Sequence, residues 1–133
     1  MKIGILSRSK ELYSTRSLFE AGQRRKHTVY VIDHTRCSLV IDPQHPNVIY
    51  DGKPMHHLDA IIPRIGTSVT ETGVAVINQF DLMGVVSPTS AQALKTARDK
   101  LRSLQILSQN KLSVPRTIMI GAHENLHQMA VKL

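Results

Sequence analysis

Lys2-Ile-Gly-Ile-Leu-Ser7 and Thr28-Val-Tyr-Val-Ile-Asp33 are two short apolar runs, with a helical pattern between them. Leu12, Thr15, Leu18, Phe19 and Gly22 recur at helical spacing. Arg24, Arg25 and Lys26 close that helix, where cations suit its dipole. A strand, a helix and a second strand in so few residues form one βαβ unit, which requires parallel strands. Further along, Asp59 to Ile62 predicts a third buried strand, stopping at Pro63-Arg-Ile-Gly66. A helix over Val69–Met83 follows, with Val74, Ile77 and Leu82 inward and a stop at Gly84. Val85-Val86 predicts a short fourth strand, and Ser90 caps a helix over Ala91–Gln109. Thr117 to Ile120 reads as another strand and His123 to Leu133 as another helix. Between the second and third strands, residues 38–57 read as a small β-excursion. Its turns lie at Asp42-Pro-Gln-His-Pro-Asn47 and Asp51-Gly52. The expected fold class is therefore α/β, a parallel sheet with helices on both faces.

Ligands on such folds bind beyond the carboxyl ends of the strands. That rule selects three loops: Ser7-Arg-Ser9, Pro63 to Thr67, and Ser87 to Ser90. The first, Ser7-Arg-Ser-Lys-Glu11, has no glycine, which argues against a dinucleotide fingerprint. No GxxxxGK[ST] pattern occurs either. Ser7 and Ser9 serve as helix caps or as donors to an anion. Arg64, just past a strand and followed by Gly66, is either a solvated loop arginine or a bidentate carboxylate binder, with Thr67 adding a hydroxyl.

Composition narrows the partners. The formal charge of +7 favours anions, and aromatics at 4% with no tryptophan give little to stack nucleic-acid bases on. No run approaches the ~20 apolar residues of a membrane span. Met1 leads straight into a strand-like segment unlike a secretory signal. The single cysteine, Cys37, fits a reducing compartment, so the expected location is the cytoplasm. His45, His56 and His57 lack zinc-ligand spacing; His123 and His127 at i,i+4 read as surface residues, and no metal ligand or catalytic residue is assigned.

One charge falls out of pattern. At about 100° per residue, Leu94, Ala97, Leu101, Leu104 and Leu107 share an apolar arc, and Lys100 falls inside it. It either snorkels to solvent or is held out to a phosphate.

Four segments, in order, carry a resemblance. Lys2-Ile-Gly-Ile-Leu-Ser-Arg8, Asp59-Ala-Ile-Ile-Pro-Arg-Ile-Gly-Thr67, Ala97-Arg-Asp-Lys-Leu-Arg102 and Val114-Pro-Arg-Thr117 look like the RimK-type ATP-grasp ligases. Those enzymes add glutamate to a carboxylate, in the type case at the C-terminus of a small-subunit ribosomal protein. The resemblance implies a Rossmann-like pre-ATP-grasp domain over residues 1–95. A linker helix and the start of an ATP-grasp domain would occupy 96–133. It implies Lys100 as the residue reaching ATP phosphates, and Arg64, Gly66 and Thr67 on the substrate side of the cleft. ATP, magnesium, glutamate and an acceptor carboxylate are the implied cofactors and partners.

The sequence departs from the family where the family's glycine-rich phosphate loop and late magnesium ligands would stand. With ten acidic residues and no paired carboxylates, the chain is expected to be inactive alone and to hold no cofactor by itself. Val131-Lys132-Leu133 echoes a strand that carries an ATP lysine, yet Leu126, Met129, Ala130 and Leu133 keep helical spacing. The expectation is thus the N-terminal part of a glutamate-adding ligase, with self-association through an uncovered Ala91–Gln109 helix. The alternative is a basic binding module for ribosomal RNA or an acidic tail, built on Lys95, Arg98, Arg102, Lys111 and Arg116.

Overall fold

The computed structural model describes residues 1–122, Asn125, His127 and Val131. Three parallel strands, β1 (Lys2–Leu6), β2 (Thr28–Ile32) and β6 (Ala60–Pro63), form a sheet in the order β2-β1-β6. Ile3 pairs with Val29 on one side and Ala60 on the other, and Leu6 with Ile32 and Pro63. Val86 adds one parallel bridge to Ala60, with Ile61 N–H donating to the Val86 carbonyl at 2.8 Å. The expected fourth strand is therefore a single bridge, because Pro88 follows at once and lacks the donor a ladder needs.

Alternation along β1 sends Ile3 and Ile5 to one face and Gly4 and Leu6 to the other. Helix α1 (Tyr13–Arg24) covers the first face. It packs closely at Gly22, where a Cβ would stand 2.5 Å from Val29 Cγ2. Helix α2 (Thr70–Leu82) covers the second, joining Val76, Ile77 and Phe80 to Leu6, Ile32 and Ile61 in one core. A second sheet, β3 (Cys37–Val40), β4 (Asn47–Tyr50) and β5 (Lys53–Pro54), is the β-excursion expected between β2 and β6, and its strands pair antiparallel. Val48 from β4 is fully buried in the same core, and the buried Gln79 of α2 donates to the Val40 carbonyl at 2.8 Å.

Three expectations are corrected. Leu82, expected inward, is 71% exposed. The last inward turn is set by Phe80, and Gly84 at φ 74° ends the helix. The helix expected over Ala91–Gln109 is two: α3 (Ala91–Arg98) and α4 (Lys100–Gln109). Asp99 sits between them in extended conformation (φ −85°, ψ 101°), its carboxylate accepting the Arg102 N–H at 2.9 Å. An N-cap aspartate is worth about 1 kcal/mol, and its backbone is non-helical by requirement. Residues 117–120 form no strand. Of the helix expected over His123–Leu133, only Asn125, His127 and Val131 are described; Lys132 and the partner of His127, His123, lie outside the described residues.

The chain divides into two compact units, Met1–Arg98 and one beginning at Asp99. The first holds the parallel sheet and its core. In the second, α4 buries no residue completely, and Leu101, Leu104, Val114 and Pro115 border an open apolar groove.

Candidate anion site at the mouth of the parallel sheet

At the carboxyl ends of β1 and β6 the chain turns outward into two loops. Ser7 N–H still donates to the Ile32 carbonyl (2.9 Å), and Arg64 N–H to the Leu6 carbonyl (2.8 Å). The ladder bonds thus run one residue past each strand and fix where Arg8 and Arg64 leave the sheet. Between these loops and the start of α1 lies a cavity of about 240 Å³. Arg8, Arg64 and Arg98 border it, with Gly66, Ser14 and Leu12.

Each wall has a local cause. The Ser7 hydroxyl is buried and shares a 2.8 Å hydrogen bond with the fully buried Thr15 hydroxyl, tying the first loop to α1. Ser9 accepts the Glu11 N–H at 3.1 Å, which makes a turn. Neither serine caps α1; the cap position is Leu12, which offers no side-chain oxygen. The positive end of the α1 dipole therefore borders the same space as the arginines. Arg64 donates to the Ser14 hydroxyl at 3.1 Å. Arg98, the last residue of α3, donates to the Ile65 carbonyl and so fastens the second loop. The Ile65 side chain is buried against α2, where Gly73 admits it: a Cβ there would stand 2.4 Å from Ile65 Cγ2. Lys10, a further cation in the first loop, stays over the Phe19 ring at 4.3 Å.

Three guanidinium groups and a helix N-terminus converge on one small concavity, an arrangement suited to an oxyanion. Of the residues expected from sequence, Arg64 and Gly66 come together here. Thr67 is exposed and does not line the cavity; its carbonyl accepts the Thr70 hydroxyl at 2.9 Å. The third expected loop folds on itself, Ser87 donating to the Thr89 carbonyl at 2.8 Å. Lys100 is exposed at the first position of α4, so the apolar arc proposed for it does not form. The sequence reading missed Arg8, and it named Arg98 only as part of the alternative basic face. Arg8 was legible as the second residue past β1, on the rule that named Arg64. Arg98 was hidden because Asp99 was read as mid-helix.

One other reactive group stands apart. Burial first, then Asp33 and Asp51, pushes the Cys37 thiol up to about 11, so little thiolate forms near neutral pH. Among the described residues, no group of three or more His, Cys, Asp or Glu side chains is placed to hold a metal ion, and no helix is long and apolar enough to cross a membrane.

Comparison with known proteins bears on this geometry. The RimK PreATP-grasp domain family matches residues 1–94. A probable alpha-L-glutamate ligase of Marinomonas sp. (strain MWYL1) is 52% identical over 117 residues, 88% of this chain and 39% of that protein. A probable alpha-L-glutamate ligase 1 of Pseudoalteromonas atlantica is 46% identical over 129 residues, 97% of this chain and 43% of that protein. The chain thus spans about two-fifths of the length of these relatives. Among solved structures, the ATP-grasp ligase PsnB, complexed with a phosphomimetic variant of a minimal precursor, magnesium and ADP, matches at a TM-score of 0.63. That match covers 86% of this chain and 45% of that one at 20% identity, a likeness of fold.

Proposed function

The chain belongs to the RimK PreATP-grasp domain family, and from that premise we propose that it serves as the N-terminal part of an ATP-dependent carboxylate–amine ligase. The ligase adds glutamate to the C-terminus of a protein or peptide, a ribosomal protein being the type of acceptor. In that reaction the acceptor carboxylate takes the terminal phosphoryl group of ATP and ADP leaves. The glutamate amine then attacks the acyl carbon and phosphate leaves. The cavity bordered by Arg8, Arg64 and Arg98 supports this reading most directly, since it places cations at the carboxyl ends of parallel strands. Arg64 and Gly66 would face the acceptor, with Thr67 at the outer rim.

Lys100 is the proposed contact to the nucleotide phosphates. As the first residue of α4 it is a cation at the positive end of a helix dipole, an unfavourable place that an arriving phosphate relieves. In this reading the chain's own part is to bind and orient. Residues 1–95 are the proposed pre-ATP-grasp domain and 96–133 the start of the ATP-grasp part. The exposed Leu101, Leu107 and Leu112 support self-association as part of the proposal, and light scattering reads it. A free cysteine fits the cytoplasm as the location. Nothing in the comparisons favours a stand-alone basic module, and Arg98, one of its residues, is engaged on the Ile65 carbonyl.

A chimera tests the reading. This chain replaces the matching N-terminal part of the Marinomonas relative, and ADP release is followed with glutamate and an acceptor peptide. The expected result is acceptor-dependent ADP release and an acceptor heavier by one glutamyl residue, with no turnover by the 133 residues alone. A folded chimera without ligation, beside a parent enzyme that ligates, would defeat it.

A further inference from the structure

The three arginines at the sheet mouth are not equivalent. Arg64 is engaged by the Ser14 hydroxyl and Arg98 by the Ile65 carbonyl. Among the described residues, no hydrogen-bond acceptor meets the Arg8 guanidinium. That group lies against Gly66: its Nη2, Cζ and Nε stand 3.4, 3.8 and 3.9 Å from where a Cβ would sit. A methyl at position 66 would meet the guanidinium only at ordinary van der Waals distance, so the group packs closely beside the loop. Arg8 brings a fork of unspent N–H donors, pre-positioned at the cavity and matched in shape to a carboxylate.

The rest of the cavity selects among anions. Leu12 and Ile65 give it an apolar side suited to methylene groups. Its volume of about 240 Å³ is below the roughly 300 Å³ at which whole-ligand pockets begin, so it takes one end of a ligand. Among the described residues no acidic side chain lines it, so none of them there holds the divalent cation that accompanies a nucleotide's phosphates.

We infer that this cavity is a carboxylate-binding site in which Arg8 makes the bidentate contact and Arg64 adds a second cation. The ligand class is an acyl chain ending in a carboxylate; its identity with the ligase acceptor rests on the reading above.

Glutarate is the probe. The 133-residue chain is titrated with it, with inorganic phosphate at matched ionic strength, and with magnesium-ADP, while NMR follows the Arg8 Nε–H and the Gly66 amide. Glutarate is expected to shift both signals saturably in the millimolar range, more tightly than phosphate, with magnesium-ADP leaving them in place. Arg8→Lys keeps the charge but loses the fork and is expected to weaken binding at least tenfold. The inference is overturned by any of three results on a chain with a dispersed, folded spectrum: no saturable glutarate shift, tighter binding of phosphate or magnesium-ADP at the same signals, or undiminished binding by Arg8→Lys. In the chimera, Arg8→Lys is expected to raise the acceptor KM at least tenfold with the ATP KM unchanged. Ligation indifferent to Arg8→Lys sinks this inference alone, whereas loss of all ligation in the unsubstituted chimera sinks the ligase reading and leaves the glutarate result standing.

Discussion

Helix α2 and the stretch from Ala91 to Gln109 carry the same kind of helical spacing, and only α2 is a continuous helix. In α2 the spacing is matched by a surface: Val76, Ile77 and Phe80 are essentially fully buried against the sheet core. In the other stretch Ala91 is buried, but Leu101 and Leu107 stay exposed. Periodicity records which residues can share a face. Burial against a partner is what makes an uninterrupted helix worth keeping. Where little is buried, a local device outweighs the pattern, and here it is the Asp99 cap.

The widest separation between the two regions should come from deleting one large side chain in each. Phe80→Ala empties a completely buried position and is expected to cost about 3–5 kcal/mol. Leu104→Ala, at a half-buried position in α4, is expected to cost a small fraction of that. Urea unfolding of both variants measures the gap, and equal losses would mean that α4 has a packing partner as good as the sheet.

A smaller effect links the packed region to the site. Gly73→Ala sets a methyl 2.4 Å from Ile65 Cγ2, so α2 or the Pro63–Gly66 loop must give way. Overpacking of this kind costs about 1–3 kcal/mol. Because the Ile65 carbonyl holds Arg98 and its neighbours are Arg64 and Gly66, the same variant is expected to weaken glutarate binding. Stability lost with anion affinity intact would show that the loop moves independently of its anchor.

How much was legible divides along the same line. The bounds of β2 coincide with its apolar run, and the small β-excursion follows from the turn at Asp42-Pro-Gln-His-Pro-Asn47, because both depend on local chemistry alone. Arg64 and Gly66 were legible because a position just past a buried strand is a site by topology. Leu82 was misplaced since a spacing rule cannot tell the edge of a buried face from its centre. Arg8 was passed over because its loop was searched for glycines. The convergence of Arg8, Arg64 and Arg98 is long-range, and no local pattern encodes it.

Removing the cap tests why the second stretch breaks. Asp99→Ala deletes the acceptor of the Arg102 N–H and is expected to cost α4 about 1 kcal/mol. Backbone chemical shifts of residues 100–103 read this directly. Shifts that stay helical and undiminished, with residue 99 itself turning helical, would show that the pattern alone sustains a single helix across 91–109.

The smallest expected effect returns to the packed region and uses acid. His34, just past β2, is fully buried, and neither ring nitrogen has a partner among the described residues. Burial holds its pKa below the ordinary 6.5, Asp33 acts in the raising direction, and Arg8 lowers it further. Between that depressed value and about 6.5 the unfolded chain binds more protons than the folded one, so stability rises with pH across the interval. The contribution is complete above about pH 6.5 and is lost as pH falls through the folded-state value. A lower Tm is therefore expected at about pH 5.5 than at about pH 7.5, with a shallower dependence in His34→Leu, which has nothing to protonate there. Parallel slopes in the two proteins would place the acid sensitivity elsewhere. A shallower slope in the variant would show that the tightly packed region is also the one that carries the protonation cost, because among the described residues only there is a histidine sealed from water.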